Sequence, residues 1–115
     1  MRRGDVYFVD FEPSQNSETN KVRPAVIVSS DAGNRAAERL GRGVITVVPL
    51  TSNVKRVYPF QLLLSAADCG LQMDSKAQAE QVRAVSISRF RRRLGAVPAP
   101  LLRQLDDVLR QHLSL

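Results

Sequence analysis

The apolar residues of this chain come mainly in short β-branched and aromatic runs, each cut off by proline or polar turn residues, and that pattern constrains its fold more than any other feature. Val6-Tyr7-Phe8-Val9-Asp10-Phe11 is the first run, stopped by Glu12-Pro13-Ser14. Ala25-Val26-Ile27-Val28 is the second, and Pro24 biases Arg23 before it toward an extended backbone. Val44-Ile45-Thr46-Val47-Val48 is the strongest, expected to end at Pro49. Phe60 to Leu64 and a broken set of short strands from Leu71 to Ile87 complete a small sheet bent on itself. Helical spacing is confined to two places. Asp31 to Leu40 reads as a short helix capped by Ser30 or Asp31 and ended by Gly41 or Gly43. Leu101, Leu102, Leu105, Val108, Leu109 and Leu113 recur on one face of a terminal helix, with Pro98 and Pro100 before or within its first turn. The expected fold is mainly β: a barrel-like domain over residues 1–115 with a short inserted helix and a C-terminal amphipathic helix.

Charge and residue usage narrow the chemistry. Lys and Arg number 17 against 11 Asp and Glu, a net charge of +6, so the expected partner is anionic, with nucleic acid first and an acidic protein segment next. Cys69 is the one cysteine and His112 the one histidine, three residues from the end. They give no intrachain disulfide, no zinc spacing, no Ser-His-Asp triad and no two-histidine ribonuclease site. No metal or cofactor is expected. The longest apolar stretch, Val44 to Leu50, is far below the roughly 20 residues of a membrane span, and Asp5, Asp10 and Glu12 break up any signal-peptide core. A cytoplasmic protein with no membrane partner is expected.

The residues from Glu12 to Val22 lack periodicity and read as a long exposed loop, mobile or functional. Arg23, a permanent forked cation at a strand start, suits two phosphate oxygens; the plainer alternative is an ion pair with an acidic neighbour. Thr51-Ser52-Asn53 at the mouth of the third strand could bind phosphate or form an ordinary side-chain-capped turn. Lys55 and Arg56 lie close by in the chain. Arg83, Arg89, Arg91, Arg92 and Arg93, with no acid among them, would attract phosphates or simply form a solvated turn. Core packing is the default for Tyr7, Phe8, Phe11, Tyr58, Phe60 and Phe90, although one exposed ring could stack on a base.

Four segments stand in a telling order: Arg2-Arg3-Gly4-Asp5-Val6-Tyr7, then Lys21-Val22-Arg23-Pro24-Ala25-Val26-Ile27-Val28-Ser29, then Val48-Pro49-Leu50-Thr51-Ser52, then Ala79-Glu80-Gln81-Val82-Arg83. Together they resemble the MazF/PemK (Kid) family of toxin endoribonucleases, from about residue 2 to the terminal helix. The resemblance implies a PemK-type barrel related to SH3, a homodimer, and metal-independent, sequence-specific cleavage of single-stranded RNA, held in check by a cognate antitoxin. It makes Arg23, the arginine before this proline, and Thr51 the catalytic pair. Glu18 corresponds to the family's Gly-Ser-Glu, which reads Asn16-Ser17-Glu18 here and so lacks the glycine. Some members place an Arg-x-Asp on a later strand; Gln78-Ala79-Glu80 keeps the carboxylate and loses the arginine, leaving Glu80 as a base or as a partner of Arg83. Asn16, Ser17, Lys21, Ser52, Asn53, Lys55, Arg56 and Gln78 complete the implied RNA contacts. Cleavage without metal would use the 2′-hydroxyl as nucleophile and leave 2′,3′-cyclic phosphate and 5′-hydroxyl ends. The antitoxin is expected to carry a flexible acidic segment that folds on binding. Two alternatives stay open: a barrel that binds single-stranded nucleic acid without cutting it, and a CcdB-like gyrase poison, which the lack of Trp and the ending His112-Leu113-Ser114-Leu115 disfavour.

Overall fold

The computed structural model describes residues 1–11 and 22–115. Seven strands pair antiparallel: β1 (Asp5–Asp10), β2 (Val22–Ile27), β3 (Val44–Thr51), β4 (Gln61–Leu64), β5 (Ser75–Gln78), β6 (Arg83–Ser86) and β7 (Phe90–Ala96). Two α-helices lie between strands, α1 (Asp31–Leu40) and α2 (Ala66–Cys69), and a third, α3 (Ala99–Leu113), follows β7. The strand order is β4-β5-β3-β2-β1-β7, with β6 also on β3. The mainly β architecture with its inserted and terminal helices is thus the one expected.

β3 runs through Pro49 to Thr51 instead of ending there. The reason lies in its partners. Along one edge it pairs with β6 as far as Val47 and with β5 from Leu50 onward. Pro49 falls in the gap between the two, where a missing N–H costs no ladder bond. β2 likewise begins at Val22, before Pro24, and its ladder to β3 starts only at Ala25.

Alternation along β2 and β3 feeds two cores, because both faces of the sheet are covered. Val26, Val48 and Leu50 face Leu64, Cys69, Leu105 and Leu109, under α3. Ala25, Ile27, Ile45 and Val47 face Val9, Phe11, Ala37 and Val85 on the opposite side. Burial pushes the Cys69 thiol above its ordinary pKa, and the neighbouring charge of Asp68 adds to the shift. α1 is capped by Ser30, whose hydroxyl accepts from Gly33 N–H, and closes at Gly41 in the left-handed region (φ 67°). Its fully buried Asn34 bonds both the hydroxyl and the carbonyl of Ser29, whose hydroxyl in turn accepts from the Thr46 amide at 3.1 Å.

The Arg2-Arg3-Gly4-Asp5 segment is structural. Arg3 donates to the Val28 carbonyl at 2.8 Å and pairs with Asp106 of α3 at 2.7 Å, while Gly4 (φ 95°) exchanges backbone bonds with Ile27 and Val97. β7 crosses close over the end of α2. A Cβ at Gly95 would collide with the Cys69 carbonyl, so only glycine lets the backbones approach this closely.

Within the arginine-rich stretch, Arg91, Arg92 and Arg93 lie in a strand, β7, so the solvated-turn alternative does not hold for them. Its acids come from β1, far away in sequence. Arg91 pairs with Asp10 and Arg93 with Asp5, each at 3.3 Å, while Arg89 donates to the Phe11 carbonyl at 2.8 Å.

Candidate nucleic-acid interface

Arg23 and Thr51 come together at the end of the β2–β3 pair. Ala25 lies opposite Pro49, and carrying that register outward by two residues sets Arg23 across from Thr51 on the same face. Thr51 is also the partner of Lys76 in β5, and Lys76 of Leu63 in β4. One row across the sheet end therefore reads Arg23, Thr51, Lys76, Leu63. Arg23 is exposed and, among the described residues, takes no hydrogen-bond or ion-pair partner; Glu12 and Glu18, the acids of the segment before β2, lie outside them.

The chain leaving Thr51 is turned by its own side chains. Thr51 Oγ1 accepts from Asn53 N–H at 3.3 Å, and Asn53 Oδ1 accepts from Lys55 N–H at 3.4 Å, so the ordinary turn and the candidate site are the same residues. Ser52, Asn53, Lys55 and Arg56 are all exposed beside Thr51. Residues 52–60 are then tied down at the far end. Lys76, only 8% exposed, donates through Nζ to the Arg56 carbonyl at 2.7 Å. Gln61 Oε1 accepts from Tyr58 N–H at 3.2 Å, and Gln61 N–H donates back to the Tyr58 carbonyl at 2.8 Å. Lys76 and Gln61 went unnoticed in the sequence; alternation against buried Ala77 and Ala79 puts Lys76 on the other face, but only the fold shows the loop that covers it.

Glu80 does not pair with Arg83. Its Oε2 accepts from Gln61 Nε2 at 2.8 Å, whereas Arg83 lies over the Phe11 ring at 5.1 Å. Glu80 Oε1 and Gln78 Oε1 are closed to solvent without a hydrogen-bond partner among the described residues. Gln78 faces Gln61 across β4 and β5, so its carbonyl is turned away from a ligand at the surface. Asn16, Ser17, Glu18 and Lys21 lie outside the described residues. Among the described residues no group of His, Cys, Asp and Glu is arranged to hold a metal ion.

Two features lie beyond the row. Tyr58 and Phe60 are not core residues: each is 39% exposed, and they stack on one another with centroids 5.2 Å apart and planes 2° from parallel. A cleft of about 390 Å³ opens on the other face of the sheet end, walled by Phe8, Pro24, Leu71, Met73, Arg92 and Arg93 and meeting the row at Thr51 and Ser52. Arg92 lies over the Phe8 ring there at 5.3 Å.

The architecture and sequence have close counterparts. The chain is 57% identical over 115 residues to the endoribonuclease MazF9 of Mycobacterium tuberculosis, covering 100% of this chain and 98% of that protein. It is 28% identical to the endoribonuclease EndoA of Bacillus subtilis, covering 100% and 96%. The MazE–MazF crystal structure from Deinococcus radiodurans matches at TM-score 0.80 with 26% identity, over 100% of this chain and 96% of that one. With the model of the PemK-like, MazF-like toxins of type II toxin–antitoxin systems matched over residues 2–113, the chain belongs to that family.

Proposed function

We propose that the endoribonuclease activity of this toxin cuts single-stranded RNA at short sequences without a metal ion, with Arg23 and Thr51 at the reacting phosphate. The observation that carries this reading is the alignment of those two residues across an open strand end. Pro24 has no N–H, so the ladder does not close over them. The ribose 2′-hydroxyl attacks the adjacent phosphorus, its proton goes to a base, and the 5′ oxygen leaves with a proton. The products are a 2′,3′-cyclic phosphate and a 5′-hydroxyl end.

Arg23 stabilises the charge that builds on the phosphorane, because its fork can address two oxygens at once and is already in place. Thr51 and the turn after it bind a remaining phosphate oxygen, with Ser52, Asn53, Lys55 and Arg56 along the backbone of the strand. A base must touch the 2′-hydroxyl, and the Glu80 oxygen that has no hydrogen-bond partner among the described residues is closed to solvent, so Glu80 acts instead by holding Gln61. Glu18 is left as the proton carrier. Its segment, residues 12–21, joins β1 to β2 at the end where Val9 faces Arg23.

The toxin works as a homodimer in the cytoplasm, neutralised by an antitoxin whose flexible acidic segment covers this cationic edge. A net charge of +6 and the MazE–MazF complex of a relative support that reading. Among the described residues no helix is long and apolar enough to cross a membrane.

The test is cleavage of a defined RNA in excess chelator, with 2′-deoxyribose placed at the cut site in a parallel substrate. Cutting should persist in chelator, give the cyclic phosphate, and cease on the deoxy substrate. Equal cleavage of the deoxy substrate would overturn the mechanism, and binding without cleavage would favour the non-cutting barrel.

A further inference from the structure

Tyr58 and Phe60 present an unusual combination: two large aromatic rings, stacked and parallel within 2°, left 39% exposed on a segment that the fold nevertheless holds firmly. Three interactions do the holding. Lys76 reaches up from β5 to the Arg56 carbonyl, Gln61 exchanges two bonds with the Tyr58 backbone, and Glu80 orients the Gln61 amide. Burying the Lys76 ammonium without a carboxylate among the described residues is costly. A chain that accepts that cost to position exposed rings is presenting them to a ligand.

The surroundings say which ligand. The Arg56 guanidinium lies 5.7 Å from the Tyr58 centroid and the Lys76 ammonium 5.8 Å, so the patch is cationic as well as aromatic. Lys55 is exposed on the same segment, and no acidic side chain occurs between Thr51 and Phe60. Flat rings framed by cations match an unpaired base attached to a phosphate backbone. Phe60 stacks on Tyr58, the two cations lie near the Tyr58 ring, and Arg56 Nη1 donates to the Tyr58 hydroxyl at 3.2 Å, so Phe60 is the ring of the pair that no cation contacts among the described residues. The location agrees: Lys76, whose ammonium lies 5.8 Å from the Tyr58 centroid, is the strand partner of Thr51, about 5 Å away between Cα atoms, so the platform is anchored on the residue next to Thr51 in the row.

We infer that Tyr58 and Phe60 form a stacking platform for one unpaired base flanking the scissile phosphate, with Phe60 in contact and Lys76 and Gln61 as positioning residues. The inference rests on the proposed RNA cleavage. Stacking is tolerant of base identity, so the platform supplies affinity and register, while hydrogen-bonding groups elsewhere supply sequence choice.

The experiment measures kcat and KM for Phe60→Leu and Phe60→Trp on a short RNA, together with a scan of the same RNA carrying one abasic nucleotide at each position. Binding of a copy with 2′-deoxyribose at the cut site is followed in parallel by quenching of 2-aminopurine. Phe60→Leu keeps an apolar side chain of similar bulk at an exposed site; its circular dichroism should match the parent. Its KM should rise about 5- to 150-fold with kcat nearly unchanged, and Phe60→Trp should restore binding. One abasic position should cost the parent a similar factor and the leucine variant almost nothing further. An unchanged KM, a loss confined to kcat, or an abasic penalty equal in parent and variant would overturn the platform. So would a leucine variant altered only in dimerisation or in binding an acidic peptide, which would assign the rings to a protein interface. A parent that binds the deoxy RNA with quenching yet cuts no RNA would overturn the proposed cleavage and leave the platform standing; one that neither cuts nor binds would overturn both.

Discussion

Arg23 differs from the arginines of the later strands in what surrounds it. Arg83 rests on Phe11, Arg89 on the Phe11 carbonyl, Arg91 on Asp10 and Arg93 on Asp5, while Arg23 has no such partner among the described residues. The exposed ion pairs of Arg91 and Arg93 are worth at most about 1 kcal/mol each to stability, but they hold these guanidinium groups against β1. An exposed guanidinium carried on a strand, with no partner among the described residues, offers its charge to an anion. Arg23→Ala should therefore leave a folded protein whose single-turnover cleavage rate falls roughly 100- to 1,000-fold, the usual loss for one donor to a transition-state charge. Near-parental turnover would take Arg23 out of the mechanism. Thr51→Ala should lose less, since a neutral hydroxyl contributes less than a charged donor, although its turn with Asn53 would also loosen.

At the scale of elements, the position of Thr51 depends on β3 being shared by three partners. β2 holds one edge, β6 the first half of the other and β5 its end, and Pro49 marks the handover. The cleft on the opposite face depends on β7 being able to reach α2. Gly95 makes that contact, and a methyl group there meets backbone, which cannot rotate away. Gly95→Ala should cost about 1–3 kcal/mol or more by overpacking, seen as a lower denaturant midpoint with little change in slope. A variant as stable as the parent would mean that β7 and α2 can separate at little cost, and that this junction does not hold the sheet closed.

For the whole molecule, the relevant quantity is how its positive charge is divided. Ion pairing of β7 with β1 neutralises two arginines, Arg91 and Arg93, leaving Arg23, Lys55, Arg56 and the cleft residue Arg92 as exposed cations around Thr51 that take no acidic partner among the described residues. RNA affinity should fall as salt rises, and the slope should reflect only a few phosphate contacts instead of the full arginine count. Fluorescence titrations at several salt concentrations measure that slope, with Arg56→Gln expected to reduce it by about one contact and Arg91→Gln to leave it nearly unchanged. The same titrations with an acidic peptide should show competition with RNA, and sedimentation should show a dimer, the commonest symmetric assembly. A peptide that binds without displacing RNA would place the inhibitory surface elsewhere.

Much of this was legible along the chain because it is local. The runs at Val6, Ala25 and Val44, the Ser30 and Gly41 caps of α1 and the leucine stripe of α3 each depend on residues a few positions apart, and each appears in the structure. Arg-Pro and Pro-x-Thr point to Arg23 and Thr51 only through the family resemblance, and the β2–β3 register, carried outward, sets the two across from one another. The departures are all non-local. Pro49 could continue β3 because its partner strand changes there, and the arginines of β7 lie in a strand because its backbone pairs with β1, whose Asp5 and Asp10, some eighty residues earlier, neutralise two of them. Glu80 turned to Gln61 instead of Arg83, and Tyr58 and Phe60 stayed outside, since burial and pairing are properties of what folds against a residue and not of the residues beside it. Periodicity reports which face a side chain takes; only tertiary structure decides what, if anything, covers that face.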